Sequence, residues 1–139
     1  MKKIFYLITI LALFMAACSS PKGMVKIEPD GNEIIQEDSL EYELIVFDAG
    51  FETWYLLQNS PARYRSQQYY ENWNQQYVLQ WNYLTTHSRR RSFFEPIMGY
   101  EPGVDYGFEL NHKLFYYFQY VEHVLRIPIL PNRPVGVVY

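Results

Sequence analysis

The chain has 139 residues, a length that suggests one compact domain once any processed segment is removed. It carries 12 Lys and Arg against 15 Asp and Glu, a formal net charge of −3. Phosphate backbones demand clustered Lys and Arg, so a modestly acidic chain is a poor nucleic-acid binder, and one cysteine excludes any intrachain disulfide.

The first seventeen residues, MKKIFYLITILALFMAA, join a basic start to an apolar run from Ile4 to Ala17. That run falls short of the roughly 20 residues a spanning helix needs, and the pattern is that of a secretory signal peptide. Met15-Ala16-Ala17-Cys18 resembles the lipobox of bacterial lipoproteins, with Met15 where Leu is usual. There the cysteine thiolate is alkylated by diacylglycerol and becomes the new N-terminus. The competing reading is an ordinary signal peptide cut after Ala17. Removal of Lys2 and Lys3 leaves 10 basic against 15 acidic side chains. The expected product sits on a membrane through the lipid on Cys18 without spanning it. Ser19 behind the cysteine, and no acidic run, favour the outer membrane, facing the periplasm.

Residues 19–41 are rich in Pro, Gly and charge, and read with Cys18 as a flexible tether (18–41) reaching on the order of 25 Å. A single globular domain is expected over 42–139. Tyr42 to Phe47 (YELIVF) predicts a strand, ended by a turn at Asp48-Ala49-Gly50. Phe51 to Gln58 predicts a short helix. Ser60 and Pro61, or Ser66 after a break, predict the start of a long helix running to about Leu84. Tyr70, Trp73, Tyr77, Trp81 and Leu84 then lie within about 40° of one line on that helix. Tyr69, Gln76, Gln80 and Tyr83 form a flank beside this stripe, mixing ring and amide, and are the candidate contact surface. Residues 92–107 predict a long loop. Asp105 is a candidate cap for a last helix from about Tyr106 to Leu125, with an apolar stripe of Leu110, Leu114, Tyr117, Phe118, Val121 and Leu125. Ile127 to Leu130 predicts a short strand beside Leu44 to Phe47. The fold class is therefore α+β, mostly helical.

Chemistry-bearing constellations are few. Glu109-Leu110-Asn111-His112 is an E-x-x-H, but di-iron bundles need two such units, and only one occurs. Both residues point away from the apolar stripe, which predicts a solvated helix face. No serine or cysteine nucleophile has a histidine partner in view, and no cofactor or metal is expected. Glu95, Glu101, Asp105 and Glu109 offer loop carboxylates for a hydrolase, without spacing that fixes their separation. Arg89-Arg90-Arg91 suits the negative end of the long helix as solvated cations. The 14 Tyr, 9 Phe and 3 Trp can build either a small core or a stacking surface.

YELIVFDAGFETW (Tyr42 to Trp54), YYENWNQQYVLQWN (Tyr69 to Asn82) and DYGFELNHKLFYYFQYVE (Asp105 to Glu122) resemble a family of small Bacteroidota lipoproteins catalogued as a domain of unknown function. Ala49 stands where that family leads us to expect Pro, and His112 where it leads us to expect Tyr. The resemblance implies a lipoprotein and transfers no activity. The sequence thus favours a non-enzymatic envelope protein working through a protein partner. The alternative is a glycan- or peptidoglycan-binding module using exposed Tyr and Trp, and a hydrolase built from loop carboxylates ranks third.

Overall fold

The computed structural model describes residues 23, 25–29, 42–94 and 100–137. Cys18 and Glu95 lie outside the described residues. Two strands, β1 (Val25–Pro29) and β2 (Tyr42–Val46), pair antiparallel with Val25 opposite Val46 and Ile27 opposite Leu44. Three helices follow: α1 (Ala49–Gln58), α2 (Gln67–His87) and α3 (Gly107–His123), with a 3-10 turn over Pro61–Arg63. The architecture is α+β and mostly helical.

β1 falls inside the span read as tether. Its alternation is short, yet it suffices once a partner exists: Val25 and Ile27 turn inward beside Leu44, and all three are buried. Pairing is between β1 and β2, not between β2 and Ile127–Leu130 as the sequence predicts. The cause is local. The backbone N–H groups of Ile129 and Leu130 both donate to Oε1 of Glu122, each at 2.9 Å, so those donors are engaged by a side chain.

Asp48 caps α1 by accepting from the Gly50 N–H at 2.8 Å, so the Asp-Ala-Gly turn signal is also a helix start. Ser66 caps α2 by accepting from the Tyr69 N–H. Asp105 accepts from the Gly107 N–H at 2.9 Å at the entry to α3, where Gly107 takes a positive φ of 74°. Just past the end of α3, Arg126 takes a φ of 57°, and the Ile127 N–H turns back to the Val121 carbonyl.

α3 is the central element. α1, α2 and β2 all pack against it, and it is buried without interruption from Leu114 to Glu122. The predicted stripe accounts for only part of that surface. Phe51 of α1 meets Tyr117 edge-on at 5.4 Å, while Tyr77 of α2 stacks on Phe118 at 4.7 Å. Tyr70, Tyr77 and Trp81 are fully buried as the ring spacing predicts, and Trp73 and Leu84 are half-buried at the edge. Gly23 closes the other end. Its N–H donates to the Phe93 carbonyl at 3.0 Å, and its α-carbon lies against Trp81 and Phe93.

Candidate functional site

The candidate contact surface divides. Tyr69 is half-buried and turns to the core, meeting Phe115 edge-on at 5.8 Å. Gln80 is half-buried, whereas Gln76 is exposed and donates to the Asn72 carbonyl of its own helix. Tyr83 is 54% exposed and stacks flat on His87, with ring centroids 4.1 Å apart. Leu79, which the sequence reading passed over, lies one turn before Tyr83 and is 72% exposed. The open part of the flank is therefore Gln76, Leu79, Tyr83 and His87, a strip of apolar, ring and amide groups along the outer face of α2.

Neither of the two described cavities touches these residues. One is a polar cleft of about 420 Å³ between the first half of α2 and residues 100–105. Gln67 ties its two walls together, donating to Oε1 of Glu71 at 2.8 Å and to Oδ1 of Asp105 at 2.7 Å. Glu101 also lines it. Glu101 and Asp105, two of the four loop carboxylates, thus come to one cleft together with Glu71. The other cavity, about 180 Å³, lies beside the Pro61–Arg63 turn and is walled by Arg63, Arg65, Tyr64, Tyr70 and Tyr116.

His112 corrects the sequence reading. It is 1% exposed, not solvated, because α3 is covered on the side that its polar residues appeared to mark as outer. Its Nδ1 is hydrogen-bonded to the Tyr55 hydroxyl at 2.8 Å, and the rings of Tyr64, Tyr70 and Tyr116 pack around it at 4.6–5.0 Å. Burial disfavours the imidazolium and pulls its pKa down to about 4. Nε2 is buried with no hydrogen-bond partner among the described residues. Glu109 is exposed while His112 is enclosed, so the E-x-x-H pair does not present a shared face. Among the described residues no group of three or more His, Cys, Asp or Glu is placed to hold a metal ion. Arg89, Arg90 and Arg91 are exposed in the turn after α2.

A buried polar system runs between α2 and α3, with little sign of it in the sequence. Asn74 donates to the carbonyl and Oδ1 of Asn111, and Tyr100 donates to the same Oδ1. Further along, Tyr77 donates to Glu122 and accepts from Gln119. The available signal was the coincidence of amides with rings at helical spacing on both helices. Burial also pushes the Tyr77 and Tyr117 phenols far above the usual tyrosine range and Tyr100 up to about 12. The Tyr77 and Tyr100 hydroxyls act as neutral hydrogen-bonding groups.

The sequence pattern of a family of unknown function (DUF6146) matches residues 5–131, and the chain belongs to that family. No curated protein and no solved structure matches the chain.

Proposed function

We propose that this member of the family is a lipid-anchored protein of the bacterial cell envelope that acts by contact with another protein rather than by catalysis. The anchor in this reading is Cys18, supported by the lipobox-like Met15-Ala16-Ala17-Cys18, and the location is the outer membrane facing the periplasm, supported by Ser19 and the lack of an acidic run behind the cysteine. The contact surface is the strip along α2, and its support is the pair Leu79 and Tyr83, one helical turn apart and both more than half exposed. Large side chains left in water at neighbouring positions on one face are the kind of surface that a partner covers. Most other rings are committed to the core.

A photo-reactive amino acid at Leu79 or Tyr83 tests this in living cells. One dominant cross-linked protein is expected from these positions and none from Gln68, on another part of the same helix. Equal labelling from all three positions refutes the surface. For the anchor, the intact mass of Cys18→Ala against the parent should show loss of the acyl mass, and identical lipid content refutes it.

Glycan binding is the second reading, and the polar cleft is what favours it. Gln67, Glu71, Gln75, Glu101 and Asp105 supply donors and acceptors suited to sugar hydroxyls. It ranks lower because Trp81 is buried and Trp54 and Trp73 are half-buried, leaving little face for a sugar to stack on. A hydrolase ranks third: Asp105 already accepts from Gln67 and from the Gly107 N–H through one oxygen.

A further inference from the structure

The N-terminal chain joins the folded body beside the turn that follows α2. Gly23 donates its N–H to the Phe93 carbonyl at 3.0 Å, and the Phe93 N–H donates to the Arg90 carbonyl at 2.9 Å. Only residues 19–22 separate Gly23 from Cys18, and they carry one Lys and no acid. Arg89, Arg90 and Arg91 therefore stand next to the chain's point of entry. All three are exposed, and among the described residues none of them makes an ion pair. The segment 88–95 sets these three cations against one acid, Glu95.

Carboxylates gather at the far end of α2. Gln67, its first residue, donates to Asp105, and Glu71 and Glu101 line the same cleft. The 21 residues of α2 place that cleft about 30 Å from the arginine turn. The molecule is thus polarised along α2, with cations where the chain arrives and the acidic cleft remote from it. A net-acidic protein is repelled on average by an anionic surface, so attraction at one end orients it.

Adjacent arginines in a turn do not converge, so they form no pocket for a single phosphate. A layer of headgroups needs no convergence, because phosphates lie across its whole plane and each guanidinium meets its own. At physiological salt the Debye length is about 8 Å, so the attraction works only for charges held close to the surface. The short link from Cys18 to Gly23 holds them there.

We propose that Arg89, Arg90 and Arg91 rest on anionic phospholipid headgroups of the bilayer that holds the lipid on Cys18, and so turn the acidic cleft away from the membrane. This rests on the anchored reading above.

The test uses the protein extracted from the membranes of the cells that make it, with a fluorophore on Ser92→Cys or, as control, on Gln68→Cys at the start of α2. It is reconstituted into vesicles of phosphatidylcholine, alone or mixed equally with phosphatidylglycerol, carrying a nitroxide quencher on the headgroup. Strong quenching is expected at position 92 in the mixed vesicles and little at position 68. It should fall in neutral vesicles, and in about 1 M salt, where the Debye length is about 3 Å. Each cation near an anionic surface favours docking by about fivefold, so Arg90→Gln should lower the docked-to-free ratio by that factor. Replacing all three arginines by Gln should bring quenching to the level of neutral vesicles, with an unchanged thermal melt. Equal quenching in neutral and mixed vesicles, or in the parent and the triple variant, overturns the proposal and leaves the arginines to an acidic protein. Equal quenching at positions 92 and 68 overturns the orientation. In each of these cases an acyl mass on Cys18 shows that the anchor itself stands, whereas its absence overturns the anchored reading and this proposal with it.

Discussion

The Tyr77 hydroxyl on α2 donates to Oε2 of Glu122 on α3 at 2.8 Å, inside a core where Glu122 is 3% exposed. The other oxygen of the same carboxylate accepts the backbone N–H groups of Ile129 and Leu130. One buried acid thereby ties the long helix, the central helix and the C-terminal segment together. A buried carboxylate is costly unless its acceptor positions are filled, and here three donors fill them.

Tyr77→Phe keeps the ring stacked on Phe118 and leaves Oε2 without its donor. Loss of a hydrogen bond to a buried charged group costs about 1.5–3 kcal/mol. Urea denaturation should show a lower midpoint with an unchanged slope. Glu122→Ala should cost more, because Ile129, Leu130 and Tyr77 all lose their acceptor, and a smaller loss for Glu122→Ala than for Tyr77→Phe would contradict the arrangement.

His112 makes stability depend on pH in a defined window. Its pKa is about 4 when folded and 6.5 when exposed, so the unfolded chain binds the proton first. Stability from this group is complete above about pH 6.5, declines as pH falls towards 4, and levels off below that. The loss is on the order of 3 kcal/mol. Denaturant melts at stepped pH should show this decline in the parent and its absence in His112→Phe. A parent curve parallel to that of the variant would remove the effect.

Gly23→Ala should destabilise the fold. A β-carbon there would lie 2.7 Å from both Trp81 Cη2 and Phe93 Cε1, ring atoms with no flexible end to move. Overpacking of this kind costs roughly 1–3 kcal/mol. Thermal melts should fall accordingly, and a neutral result would mean that Gly23 does not sit against Trp81.

Leu79→Asp and Tyr83→Asp should leave stability within about 0.5 kcal/mol, since both side chains are mostly in water. Each should nevertheless abolish the cross-link obtained from the other position. Retained cross-linking in both variants would remove the strip from the contact surface.

The long helix was legible because Tyr70, Tyr77 and Trp81 repeat at helical spacing and its N-cap is a serine. The central helix was only half legible. Reading a stripe assumes that one face stays wet, and Asn111, His112, Gln119 and Glu122 looked like that face. They are buried instead, and internal donors and acceptors satisfy most of their polar atoms. β1 was missed because a strand with two inward apolar residues has no local signature, only a distant partner. The candidate flank on α2 was picked for rings and amides beside the stripe, which is why Leu79 escaped: an isolated Leu among amides looks like neither core nor site.

The position of Gly23 also sets a distance. Its bond to Phe93 fixes the chain to the folded body five residues after Cys18, where the sequence alone allowed a leash of more than twenty. Five residues at full stretch cover at most about 18 Å. With Cys18 as the proposed mooring, the domain has little freedom to roam or reorient above the bilayer. The proposed partner of α2 would then meet it close to the headgroups.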